Sequence, residues 1–167
     1  TKYIDVAFGY DRNFIGNGYR SLFLSDFSGN QLFVKINTRI WKFNYQNLFM
    51  ELHTKGKSNS TNDLVPKKYA TMHHLSMNVM PWLNVGVFES VVFGRKDHFE
   101  FGYMNPIIFF RSIEGNLGSK DNAMVGADFK ANLFKKVQVY GQLLLDEFNF
   151  AELRKDKSWW GNKTGTQ

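Results

Sequence analysis

Hydrophobic and polar positions alternate with a period of two along most of this chain. The clearest run is residues 137–146, where Val137, Val139, Gly141, Leu143 and Leu145 fill the odd positions and the even ones are mostly polar. Residues 122–133 behave alike. Ala123, Val125, Ala127, Phe129, Ala131 and Leu133 share one face, and Asn122, Asp128, Lys130 and Asn132 share the other. Successive side chains of a strand point to opposite faces. Only Phe134, Lys135 and Lys136 separate the two runs, so the pattern predicts an antiparallel hairpin with one apolar and one polar face. Further strands are predicted at 3–10, 32–37, 40–52 (interrupted near Asn44), 69–80, 84–94 and 99–104. Residues 80–83, with Pro81, read as a tight connection, and residues 54–68 as a long, polar, lysine-rich loop.

Two segments depart from simple alternation. Gly16 and Gly18 resemble a phosphate-binding loop, but a dinucleotide fingerprint needs a third glycine and then a helix. Ser21 stands at the third position, and residues 21–28 lack a helical period. The glycines are better read as a tight bend before a strand that begins at Ser21. In the second segment, Asn105 as N-cap, Pro106 at the first helical position and Gly115 just past the end predict one short helix near residues 105–114. To place the turns at Pro81 and at Lys135-Lys136 on one side, residues 105–121 are expected to run back across the interior or along its wall.

Composition narrows the fold class. The chain has 167 residues, enough for one domain with a core. Its 17 Phe, 7 Tyr and 4 Trp make up 17% of it. Rings spread over alternating strands suit a barrel whose wall meets lipid and whose rims carry aromatic girdles. The strands run to about ten residues, near the ~9–11 that cross a bilayer at a tilt, rather than the ~5–6 of globular strands. No run of eighteen apolar residues exists, which excludes a transmembrane helix. A soluble sandwich would alternate in the same way, but strand length and a polar face carrying Tyr, Gln, Asp and Lys favour an all-β, antiparallel, transmembrane outer-membrane β-barrel. Residues 1–167 are read as a single partial barrel domain, incomplete at both ends. In such barrels the short turns are periplasmic and the long loops extracellular, which places the Pro81 turn inside and residues 54–68 outside. Zero cysteines exclude disulfides and thiolate chemistry. The formal charge of +6 comes mainly from polar connections, which does not read as a nucleic-acid footprint.

The jointly ordered segments 15–26, His74-Leu75-Ser76, Phe88-Glu89-Ser90, Tyr103-Met104-Asn105-Pro106, Asp121-Asn122-Ala123 and 140–147 cover nearly the whole chain. In this order they resemble the capsule-assembly Wzi family of outer-membrane proteins, especially relatives associated with gliding motility. The resemblance implies a large bacterial outer-membrane barrel of which this chain is a part. It also implies a non-catalytic lectin for capsular or other surface polysaccharide, acting in capsule assembly or attachment at the cell surface. Where the family commonly has Trp-Gly-Pro-Gly, this chain has Phe14-Ile15-Gly16-Asn17-Gly18.

Arg20, Arg95 and Arg111, with the carboxylates Asp26, Glu89, Asp128 and Asp146, are candidates to line a polar lumen. Arginine recognises hydroxyls and uronate carboxylates through paired hydrogen bonds. Tyr19, Tyr103 and Tyr140 supply rings for stacking on pyranose faces. The polysaccharide-binding candidates are therefore Tyr19, Arg20, Asp26, Glu89, Arg95, Tyr103, Arg111, Tyr140 and Asp146. The bland alternative is that these charges pair with one another inside a crowded barrel.

A β-sheet enzyme acting on glycosides is the alternative class. Asp146 and Glu147 are adjacent in a strand and point apart, while Asp26 with Glu89 is geometrically possible but unsupported. His73 and His74 diverge for the same reason, and His53 and His98 sit at no ligand-like spacing, so no metal or cofactor is expected. A Gly-x-Ser-x-Gly elbow is missing. A third alternative is a diffusion porin, distinguished by whether residues 105–121 block the lumen.

Overall fold

The computed structural model of the chain describes residues 1–52, 68–94, 101–105, 121–146 and 163–166. They form an eight-stranded antiparallel sheet whose spatial order follows the chain, open between its first and last strands. Its strands are β1 (Ile4–Asp11), β2 (Gln31–Ile40), β3 (Phe43–Leu52), β4 (Lys68–Met80), β5 (Leu83–Gly94), β6 (Asn122–Leu133), β7 (Val137–Asp146) and β8 (Lys163–Thr166). The expected hairpin is β6 and β7, paired from Met124↔Asp146 to Leu133↔Val137. The break expected near Asn44 lies instead at Trp41-Lys42, where Ile40↔Phe43 closes a two-residue turn.

Residues paired across neighbouring strands share a face, and the register sorts the sheet into two unlike faces. One carries Val6 and Phe8 of β1, Val34 and Ile36 of β2, Val85 and Val87 of β5, and the odd-numbered apolar residues of β6 and β7. Much of this apolar face is open: Val6 and Phe8 are 68% and 73% exposed. On β6 and β7, Ala127, Phe129, Val137, Val139 and Leu143 are exposed and Ala131 is buried. Its middle, on β3 to β5, is buried. There Asn47, His73 and Glu89 form one row across three strands.

The other face carries Asn37, Gln46, His74, Ser76, Asn84, Asp128 and Gln142, with a patch of Leu48, Met50, Ala70, Met72 and Phe88. Alternation thus produces a polar face that is apolar in one place only.

The connections divide as sharply as the faces. The turns at Trp41-Lys42, Pro81-Trp82 and 134–136 all lie on one rim. Asn78 N–H donates to the Lys42 carbonyl (3.1 Å), and Asn132 N–H donates to the Trp82 carbonyl (2.8 Å), which ties each turn to a neighbouring strand. The connections 12–30, 53–67, 95–121 and 147–162 all leave from the opposite rim. Because β5 and β6 are direct antiparallel neighbours, the two short turns share a rim as expected and the parity does not require a crossing. Residues 106–120, where the run back across the interior was expected, lie outside the described residues. The parity that motivated a run back through the interior came from a strand at 99–104, and Phe101–Met104 is a single 3-10 turn instead. Tyr103 there packs its ring 4.6 Å from that of Phe93 and donates its hydroxyl to Asp121 (2.7 Å), contacts that replace strand pairing. The short helix expected near 105–114 lies outside the described residues except for Asn105, and the described residues contain no α-helix.

Two of the short turns hold residues in the left-handed region. Trp41 has φ 54°, and Phe134 and Lys135 have φ 53° and 58°. With Lys136 N–H donating to the Leu133 carbonyl (3.1 Å), residues 133–136 have the two consecutive positive φ values of a type I′ turn. Such turns normally use Asn-Gly. A side chain in this region costs about 1–2 kcal/mol, so large side chains stand here against local preference.

Candidate functional site

The connection from β1 to β2 folds back over the polar face. Residues 21–26 do not begin a strand: their backbone makes one isolated bridge, Ile15↔Leu24, closed by Ile15 N–H donating to the Leu24 carbonyl (3.0 Å). Ile15 and Phe23 are buried against the apolar patch formed by Leu48, Met50, Ala70, Met72 and Phe88, with Leu22 and Leu24 alongside. The Phe23 ring stacks on Phe88 at 4.4 Å with the planes 1° apart. Burying such side chains stabilises the docked loop by about 1.5–3 kcal/mol each.

Glycines make the approach possible. A Cβ on Gly126 would collide with the Phe23 ring, and one on Gly86 would fall on Asp128 and His74. Gly16, at φ 111°, adopts a conformation that other residues rarely reach. A side chain there would also strike the Gln142 amide and the Ser21 hydroxyl.

Polar contacts fix the loop to three strands, β5, β6 and β7. Asp128 Oδ2 accepts the Asn17 N–H (2.8 Å), and its Oδ1 lies 3.1 Å from His74 Nε2. Gln142 Oε1 accepts the Leu22 N–H (2.8 Å) while its Nε2 donates to Ser21 Oγ (3.1 Å). Asn17 Nδ2 donates to Asn84 Oδ1 (2.7 Å), and Asn84 Nδ2 passes the chain on to Asn78 Oδ1 (2.8 Å). Backbone donors that would lie orphaned over a sheet face are thereby satisfied.

At the edge of the loop, which touches Asn84 and Tyr140, the polar face continues as a row across β4 to β7: Asn78, Asn84, Lys130 and Tyr140 are successive register partners. The next row holds Asn132 and Gln138, whose Nε2 donates to Asn132 Oδ1 (3.1 Å). Amides, an ammonium and a phenol ring at strand spacing supply both hydrogen bonds and a stacking surface for a hydroxyl-rich ligand.

The candidate residues separate into groups. Tyr19, Arg20 and Asp26 are exposed on the loop, with the Arg20 guanidinium 4.3 Å from the Phe27 ring centre. Tyr140 is half-buried on the polar face, with Gly18 lying against its ring. Asp146 ends β7 on the same face, opposite Lys163. Glu89 lies on the apolar face beside His73, and Tyr103 packs there too, so these two do not join the others. Arg95 and Arg111 lie outside the described residues, as do His53 and His98. Asp26 belongs to the loop docked on the polar face and Glu89 to the apolar face, so these two carboxylates are not brought together. His73 and His74 diverge as strand neighbours must. Among the described residues no three His, Asp or Glu side chains cluster as a metal site.

No protein-family model, curated protein or solved structure matches the chain. No helix among the described residues is long and apolar enough to cross a membrane, which says nothing about strands.

Residue-type reasoning passed over Asn17, Asn84, Asp128 as a loop anchor, and Gln142. One signal was present. Gly86 and Gly126 interrupt strands on the polar face, and glycine inside a strand often marks the close approach of another backbone.

Proposed function

We propose that this chain is part of an outer-membrane β-barrel of the capsule-assembly kind, and that its polar face binds a capsular or other surface polysaccharide without catalysing a reaction. The observation that carries the membrane reading is the coincidence of two asymmetries in one sheet. One face is apolar, exposed on β1, at both ends of β2 and over parts of β6 and β7, and every described short turn lies on one rim while every long connection leaves from the other. Lipid-facing rows of a barrel are uncovered, whereas a two-layer carbohydrate enzyme would cover them with a second sheet. All described strands belong to one sheet. The order of residues that resembles the Wzi family supports the same reading and supplies the ligand class.

The polysaccharide would meet the exposed Tyr19, Arg20 and Asp26 of the loop and the row Asn78, Asn84, Lys130 and Tyr140. Two amides and one ammonium match a hydroxylated, partly anionic chain better than an apolar solute. The test is surface retention of polysaccharide by cells carrying Arg20→Ala with Asp26→Ala, at matched protein abundance. Reduced retention is expected, and unchanged retention removes these residues from the site. A porin is the second reading, favoured by the loop folded over the polar face. It predicts single-channel conductance that rises when Phe23→Ala frees the loop, whereas the polysaccharide reading predicts loss of retention.

A further inference from the structure

The short-turn rim combines large exposed rings with an excess of positive charge. Trp41 and Phe134 stand 80% and 89% exposed at the tips of two turns, and Trp82 is exposed in the third. Lys2, Lys42, Lys135 and Lys136 lie among them, with Arg39 and Lys130 on the polar face behind; residues 39–44, 78–84 and 130–138 contain no carboxylate, and Asp5 stands just inside the rim on β1. The Lys42 ammonium lies 5.2 Å from the Trp41 ring centre, which places cation and ring at one level. Among the described residues the opposite rim is mixed, with Asp11, Glu51, Asp121 and Asp146 beside Arg12, Lys68 and Lys163. Charge is therefore polarised along the strand direction.

Local backbone preference does not account for the rings. Trp41, Phe134 and Lys135 occupy left-handed positions that Asn or Gly would fill without strain. Strained positions that persist point to a use for the side chain they carry. Tryptophan and phenylalanine beside lysines fit the headgroup level of a bilayer, where the ring is half-immersed and the ammonium meets phosphate.

We infer that the short-turn rim is a binding surface for anionic glycerophospholipid, with the rings at the headgroup boundary and the turn lysines Lys42, Lys135 and Lys136 recruiting the charged headgroups of that leaflet. This rests on the membrane reading above. A soluble polyanion would need the cations but not the exposed rings, and a neutral lipid the rings but not the one-sided charge.

The test uses the full-length protein with Trp159→Phe and Trp160→Phe, which leaves Trp41 and Trp82 as the tryptophans of this chain. It is reconstituted in phosphatidylcholine vesicles containing brominated phosphatidylglycerol or, at equal mole fraction, brominated phosphatidylcholine. Quenching of tryptophan fluorescence should be about twofold stronger with the brominated anionic lipid at low salt. The excess should fall as salt screens the lysines, and it should disappear in Lys42→Gln/Lys135→Gln/Lys136→Gln while quenching by the brominated neutral lipid persists. Equal quenching by both lipids at low salt overturns the anionic preference and leaves the membrane reading standing. Quenching by neither overturns both.

Discussion

The backbone N–H of Asn17 donates to Asp128 Oδ2 at 2.8 Å, joining residues 111 positions apart in sequence. A carboxylate on β6 thereby holds a loop that leaves from β1. The same carboxylate faces His74 of β4 through its other oxygen, so one side chain ties the loop to the centre of the polar face.

Asp128→Ala should release the loop more than it unfolds the sheet. It leaves the Asn17 amide without its acceptor, a loss of about 1–3 kcal/mol for a buried donor. Trypsin cleavage after Arg20 should speed up by an order of magnitude or so at constant sheet content by circular dichroism. An unchanged cleavage rate would mean that Asp128 does not hold the loop.

The apolar half of the anchor gives an independent readout. Phe23→Ala removes the ring stacked on Phe88 and should cost the docked loop about 3–5 kcal/mol. Gly126→Val should mimic it, because the new side chain occupies the place of the Phe23 ring. Both variants should show the same raised protease sensitivity, and a normal Gly126→Val protein would contradict the packing.

The strands were legible because alternation over ten or more residues is a local signal. That is why β6 and β7 have the bounds expected for them. The loop was not legible, for the opposite reason. Residues 21–26 alternate like a strand, yet their hydrogen-bond partners are the Gln142 side chain and Ile15 rather than the backbone of a neighbouring strand. Nothing within six residues encodes a side chain more than a hundred positions away. The break at Trp41-Lys42 was misplaced toward Asn44 because a turn built from Trp and Lys lacks the Asn-Gly signal. Glu89 and Tyr103 entered the candidate site by residue type, and only the register shows that they lie on the apolar face.

Replacing Phe134-Lys135 by Asn-Gly should stabilise the sheet by about 1–2 kcal/mol in detergent, since both positions are left-handed. Urea unfolding of the detergent-solubilised protein measures this. The same change should weaken association with vesicles, because it removes an exposed ring and an ammonium. A variant that gains stability and loses nothing in vesicles would show that these side chains are dispensable at the rim.

On the polar face, Tyr140→Ala and Lys130→Gln each remove one member of the row that crosses β4 to β7. Each should lower affinity for the purified polysaccharide about tenfold, the scale of one charge-assisted hydrogen bond or its equivalent. Val139→Ala, one position away on the other face, should leave affinity unchanged. Equal losses in all three would mean that the effect is on folding rather than on the ligand.

The lipid-facing sheet face is the claim on which the rest depends. The chain has no cysteine, so single cysteines can be placed one at a time along β6 and β7 and spin-labelled in vesicles. Labels at 127, 129, 139 and 143 should be open to oxygen and closed to a water-soluble nickel reagent. Labels at 128, 130, 140 and 142 should lack that oxygen preference, so accessibility alternates with a period of two. Nickel access at the first set equal to that at exposed turn positions, with no alternation, would contradict the membrane barrel.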